Sequence, residues 1–268
     1  MNKTILITGS TDGIGLATAK SLVKLGHTVL LHGRSSSKLS EAKKQLSEIA
    51  KPEQLFTYQA DLSSMSETMG LTLKIKEEHK KLDTLINNAG VFIVPDKLTS
   101  EGLDVRFMVN TIAPFILTQE LLPLLDNTGR VINLSSAAQS SLSSDELLKP
   151  SSLSDNAVYA KSKLALTMWS RQLGLSLAEN GPVIVSVNPK SFLGSKMVEE
   201  AYGVAGGNLQ QGADILVRAT LSDEFSNASG LYFDNDIGQF TDPHPDALDV
   251  NKAAEITKVI ETIVQKVS

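Results

Sequence analysis

Seven short runs rich in Val, Ile and Leu, near residues 3–8, 27–33, 54–60, 82–88, 129–135, 183–188 and 231–234, punctuate the chain, with helical patterns between nearly all of them. This alternation constrains the fold more than any other feature. A strand that is apolar along its length must be covered on both faces, and an intervening helix supplies the cover together with the long crossover that a parallel neighbour requires. Right-handed crossovers then set helices on both sides of one sheet. The expectation is an α/β, doubly wound, mostly parallel sheet forming a single domain over residues 1–268. Such sheets bind ligands beyond the carboxyl ends of their strands.

Those ends carry the unusual residues. Lys3-Thr4-Ile5-Leu6-Ile7-Thr8 runs into Gly9-Ser10-Thr11-Asp12-Gly13-Ile14-Gly15 and then into the helical pattern Leu16–Val23. Strand, glycine turn and helix in this order are the opening of a Rossmann fold. The glycines permit a tight turn and let backbone N–H groups approach a pyrophosphate, which the positive end of the helix dipole favours. No Lys-Ser/Thr follows them, so a triphosphate-gripping loop is not expected. A glycine turn can also serve packing alone.

Tyr159 and Lys163 stand four apart in Val158-Tyr159-Ala160-Lys161-Ser162-Lys163, and Ser135-Ser136 ends the run Val131-Ile132-Asn133-Leu134 upstream. A spacing of four places phenol and ammonium on one helix face. A tyrosine of ordinary pKa, about 10, is drawn toward the working pH by such a cation, where it becomes an effective general acid or base. An amphipathic helix carries the same pair as a half-buried ring beside a solvated charge, so the pair alone decides nothing.

Thr-Gly-x-x-x-Gly-x-Gly at residues 8–15, Asn87-Asn88-Ala89-Gly90 after the fourth strand, then Ser136, Tyr159 and Lys163 follow one another in an order that resembles the short-chain dehydrogenase/reductase family. The resemblance implies a nicotinamide-dependent oxidoreductase. It assigns Gly9, Ser10, Asp12, Gly13, Ile14, Gly15, Asp61, Leu62, Asn88 and Gly90 to the cofactor, with Asp61 against the adenine amino group. Asp61 serves equally well as a helix N-cap before Ser63-Ser64-Met65. Ser136, Tyr159 and Lys163 are implied to be catalytic, Lys163 also holding the nicotinamide ribose. Asn110, in Val109-Asn110-Thr111, is implied to help hold a relay water, although a polar residue in so apolar a helix needs a partner in any case. Family alignments place the catalytic hydroxyl second in the serine pair, at Ser136; the residues themselves leave Ser135 open.

The second strand ends His32-Gly33-Arg34-Ser35, without the acid that would meet a ribose 2′-hydroxyl. Gly33 leaves room, Arg34 offers a guanidinium fork to a 2′-phosphate and Ser35 adds a donor, so NADP(H) is the expected cofactor. A solvent-facing Arg34 is the plain alternative.

The chain departs from the family where Asn188-Pro189-Lys190-Ser191 replaces Pro-Gly, because Lys190 accepts poorly the backbone angles that glycine tolerates. The gap between Ser136 and Tyr159, and Phe233-Asp234-Asn235-Asp236, resemble the retinol dehydrogenase-like branch, which implies an apolar small-molecule carbonyl or alcohol substrate. A dinucleotide-binding redox sensor without turnover is the rival from another class, and sugar-nucleotide epimerisation is disfavoured by the short carboxyl-terminal portion.

Composition removes other chemistries. There are no cysteines, and His27, His32, His79 and His244 lack ligand spacing, so no metal is expected. A net charge of -5 without a basic block gives no reason to bind nucleic acid. No apolar stretch is expected to approach spanning length, no leader is expected ahead of so early a first strand, and the cytoplasm is the expected location. Glu77–Lys81 reads as a solvated helix end, the Ser-rich stretches 140–144 and 150–152 as a surface loop, and Val250, Ala253, Ile256, Ile260, Ile263 and Val267 as a packing helix capped by Asp249. The stripe Phe115, Leu117, Leu121, Leu122 and Leu125 suits either a homo-oligomer interface or the core.

Overall fold

The structure, a computed structural model, describes residues 2–149 and 152–266. Every expected strand forms inside its range: β1 (Thr4–Ile7), β2 (Thr28–Gly33), β3 (Leu55–Gln59), β4 (Thr84–Asn87), β5 (Arg130–Leu134), β6 (Val183–Asn188) and β7 (Tyr232–Asp234). An eighth, β8 (Gln239–Thr241), pairs antiparallel with β7; its lone half-buried Phe240 between two exposed residues is too short a pattern to foresee. The order is β3-β2-β1-β4-β5-β6-β7-β8, parallel up to β7. It reverses between β1 and β4, so the crevice opens where the glycine turn and Asn87-Asn88 lie.

Alternation along each strand builds two cores. Leu6, Leu30, Leu85, Val131 and Ile184 point to one side, with α3 (Met65–Glu78), α4 (Val105–Leu124), α5 (Asp155–Leu177) and α7 (Val250–Gln265). Ile5, Ile7, Val29, Leu31, Ile86, Ile132 and Val185 point to the other, with α1 (Gly13–Lys24), α2 (Ser36–Ser47) and α6 (Gln210–Leu221). Each fully buried aliphatic side chain contributes about 1.5–3 kcal/mol relative to exposure. The strands are apolar throughout because both faces are covered.

Several expectations need correction. Val105–Leu124 is long and apolar enough to cross a membrane by length and composition, and 72% of its most apolar window is buried within the protein, as befits a core helix. Phe115, Leu117, Leu121 and Leu125 are buried inside the single chain, with Phe115 edge-on to Trp169, so that stripe is core rather than a free interface. The 140–152 stretch is only partly surface: Ser144–Leu148 is helical, Leu142 and Leu147 sit in the core, and Pro150 and Ser151 lie outside the described residues. Glu78 and His79 both reach the Tyr58 hydroxyl, at 2.7 and 2.6 Å, so that helix end is not merely solvated. The last helix is capped by Asp249 as expected, but Val250 is exposed and Val267 lies outside the described residues.

Met108–Ile112 within α4 is π-helical. Just before it, the fully buried Arg106 is bonded to Asp104 through Nε and Nη2, at 2.9 and 2.7 Å, and also meets Asp155 in the first turn of α5. A buried guanidinium needs such partners. They fasten α4 to α5 one turn ahead of Asn110 and Tyr159.

Candidate active site

The turn after β1 is held from three sides. The Thr8 hydroxyl accepts from the N–H groups of Asn88 and Ala89, each at 3.0 Å, and the Asn88 amide donates to the carbonyls of Thr8 and Gly9 at 2.8 and 3.0 Å. Gly9 and Gly13 have φ of +64° and +56°. A Cβ at Gly9 would stand 2.9 Å from Ala89 Cα, and one at Gly15 would collide with the Gly9 carbonyl and the Asn88 amide. Glycine is required there by close approach as well as by angle.

The third fastening is His32, which no local sequence pattern singles out. Its Nδ1 accepts from Gly9 N–H at 3.1 Å, so the neutral ring carries its proton on Nε2 and donates to Ala60 O at 3.1 Å. Burial lowers its pKa to about 4. The buried Ser10 hydroxyl accepts from His32 N–H at 2.9 Å, so this side chain faces the protein and not the cleft. Asp12 caps α1 by accepting from Gly13 N–H at 2.7 Å. Ile14 and Gly15 follow in the first turn, where amides have no intrahelical acceptor, and a Cβ at Gly13 would meet nothing within 4 Å. Free amides, a helix N-terminus and open space fit a dinucleotide phosphate.

At the end of β2 the room above Gly33 is taken: a Cβ there would stand 2.6 Å from the Thr11 methyl. Arg34 is exposed, and its guanidinium has no hydrogen bond or ion pair among the described residues. Ser35 caps α2, accepting from Lys38 N–H at 3.4 Å. Asp61 accepts from the N–H and hydroxyl of Ser63 at 2.9 and 2.8 Å, whereas α3 is capped by Ser64, so the N-cap reading of Asp61 is corrected. Leu62 is buried in the core.

The chemistry-bearing residues meet across β5 and α5. Lys163 Nζ lies 5.7 Å from the centre of the Tyr159 ring and donates to Leu134 O at 2.6 Å. Among the described residues this is its one acceptor, leaving two donors of a buried ammonium unmatched. Burial lowers its pKa to about 8. Such a group suits ribose hydroxyls. Phe92 packs on Tyr159 with ring centres 4.6 Å apart.

The serine pair divides its work. Ser135 is buried, its hydroxyl 2.7 Å from that of Thr167 and turned to the Lys163 carbonyl. Half-buried Ser136 accepts from Ala138 N–H at 3.1 Å, which leaves its own O–H proton to donate. Asn110 is fully buried; it accepts from Val91 N–H at 2.8 Å and donates to Val91 O and Ser162 Oγ at 2.9 and 3.0 Å. Gly90 lies against Asn110 and Lys163, 3.4 and 3.6 Å from where its Cβ would stand.

Beyond β6, Lys190 has φ of +116° and Phe192 of +51°. Backbone conformations of this kind cost of the order of 1–3 kcal/mol in a residue bearing a Cβ. The poor fit expected of Lys190 is thus found. Asp236 sits beside it, and although burial opposes ionisation, bonds from Ser191 and Asn188 and the charge of Lys190 hold its carboxyl below the usual range.

A switch-point crevice with a glycine turn, facing an apposed tyrosine and buried lysine, defines a dinucleotide-dependent α/β oxidoreductase. Residues 3–202 match the short chain dehydrogenase family model, and the chain belongs to that family, in its retinol dehydrogenase-like branch. It is 31% identical to human polyprenol dehydrogenase over 88% of this chain and 77% of that one, and 29% identical to human retinol dehydrogenase 13 over 87% and 76%. The fold is shared with the Pseudomonas aeruginosa RhlG/NADP active-site complex, with a TM-score of 0.70 and 23% identity over 87% of this chain and 94% of that one.

Proposed function

We propose that this chain transfers a hydride between NADP(H) and an apolar carbonyl or alcohol, with Tyr159 as general acid and base. The observation that carries the reading is the buried, under-satisfied Lys163 ammonium set over the Tyr159 ring. The nicotinamide, when bound, supplies or accepts the hydride. In the reductive direction Tyr159 gives its proton to the substrate oxygen, and Ser136 donates a hydrogen bond to the same atom. Lys163 holds ribose hydroxyls with its two remaining donors, and its charge stabilises the phenolate left behind. Asn110 keeps Val91 and Ser162 in place beside them. Phe92 against Tyr159 gives the reacting centre an apolar wall, in keeping with an apolar substrate. NADP(H) is favoured by Arg34, whose guanidinium, unpaired among the described residues, suits a 2′-phosphate; Thr11 over Gly33 narrows the space that the glycine was expected to leave. Asp61 and Gly90 complete the cofactor side of the proposal, with Asn88 acting through the turn it holds and core-buried Leu62 through its main chain alone, and residence in the cytoplasm, read by cell fractionation, belongs to it as well.

The test is a panel of carbonyl compounds with NADPH. Tyr159→Phe is expected to keep NADPH affinity while kcat falls about 10²–10⁴-fold, the usual share of a general acid. An active Phe variant would sink the mechanism. Arg34→Ala should weaken NADPH about tenfold and leave NADH unchanged; equal losses would remove the 2′-phosphate assignment. Native turnover should decline above about pH 8, as Lys163 loses the proton that burial already loosens.

A further inference from the structure

Phe233-Asp234-Asn235-Asp236 takes no part in the proposed reaction, yet this segment converges on the most strained backbone beside the cleft. Asp236 Oδ1 accepts from Ser191 N–H at 3.0 Å, while Oδ2 accepts from the Ser191 hydroxyl at 2.6 Å and from Asn188 Nδ2 at 2.9 Å. Asn235 Nδ2 donates to Pro189 O at 3.0 Å, and Asp234 Oδ1 takes a second bond from Asn188 at 2.7 Å. Lys190, at φ +116°, is thus bracketed by tied residues. Bonds to an ionised carboxylate are about twice as strong as neutral ones, which is what holding an unfavourable angle demands.

The angle matters because it aims the segment that lies beyond it. Leu193 Cδ1 and Ile14 Cδ1 both lie against Gly212, 2.6 and 3.2 Å from where its Cβ would stand. Met197 Cε and Lys163 Nζ both lie against Gly90, at 3.7 and 3.6 Å on the same measure. Residues 192–197 therefore cross from the glycine turn to Lys163, and their starting direction is set at Lys190.

We propose that Asp236 is a positioning residue: its carboxylate holds Lys190 in a left-handed backbone conformation and so sets where residues 192–197 lie over the cleft. This rests on the reading of that cleft as the NADP(H) site. Glycine at 190 would adopt the same angle unaided, whereas alanine would retain the strain and lose only the charge.

The experiment places Asp236→Ala in three backgrounds of the full-length chain, native Lys190, Lys190→Ala and Lys190→Gly, and measures NADPH dissociation constants and melting midpoints without cofactor. Asp236→Ala should weaken NADPH about tenfold in the native and Lys190→Ala backgrounds and less than threefold in Lys190→Gly, with midpoints falling in the same pattern. Equal losses in all three would overturn the proposal. A loss abolished by Lys190→Ala would also overturn it, by showing that Asp236 serves the ammonium and not the backbone. Midpoints that fall while NADPH affinity holds would leave a merely structural residue, again overturning it. If the native chain binds NADH but no NADPH, only the cofactor reading fails, and NADH replaces NADPH as the probe with the same criteria.

Discussion

Both ends of the cleft bend the backbone into left-handed angles, but by different means. At the glycine turn Gly9 and Gly13 adopt +64° and +56° at no steric cost, and neighbours only press them into place. At the far end Lys190 and Phe192 adopt +116° and +51° against their own preference. The first geometry is local and written in residue type. The second is imposed by contacts made over long separations, and such a conformation persists only where surroundings over-determine it.

The largest test of this contrast concerns His32, the titratable one among the long-range contacts at the glycine end. Its pKa is lowered from 6.5 to about 4, so the unfolded chain binds the extra proton between those values and stability falls as pH drops through that window. The full effect is of the order of 3 kcal/mol. His32→Asn, which cannot titrate, should show a shallower loss of stability between pH 6.5 and 4 in urea unfolding; parallel slopes would mean that the ring is not buried in its neutral form against the turn. Next in size, Gly15→Ala should cost about 2 kcal/mol through collision with the Gly9 carbonyl, together with a clear loss of NADPH affinity. An unaffected variant would show the turn to be pliant. Smallest, Phe192→Asn should gain about 0.5 kcal/mol, because Asn tolerates the left-handed region and Phe192 is 58% exposed. A loss there would mean that the phenyl contacts outweigh the strain.

Legibility in the sequence divides along the same line. Strands, glycine turn and the Tyr159–Lys163 spacing are patterns within a few residues, and all appear in the structure as expected. The residues of the serine pair read alike in the sequence, and only folding separates them, by turning Ser135 into buried bonds with α5. Lys190 is instructive in the other direction: its misfit is visible in the residue type, but its holder, Asp236, binds a neighbour 45 residues away in sequence. His32 after an apolar run looks like any strand end until Gly9 is folded against it. Val105–Leu124 reads identically as a spanning or a core helix, because composition records apolarity and not what supplies the cover. β8 and the π-helical turn carry no periodic signal at all.

That π-helical turn constrains length as well as identity. Met108–Ile112 holds its neighbours through i→i+5 spacing, so loss of one residue would close the wide turn to the ordinary i→i+4 ladder and move the side chains inside it, Asn110 among them, relative to the flanks. Arg106 and Asn110 would then no longer address α5 together. Single-residue deletions within these five positions should thus be purged far more strictly than conservative exchanges at the same sites, which gives the segment a signature readable by indel scanning alone.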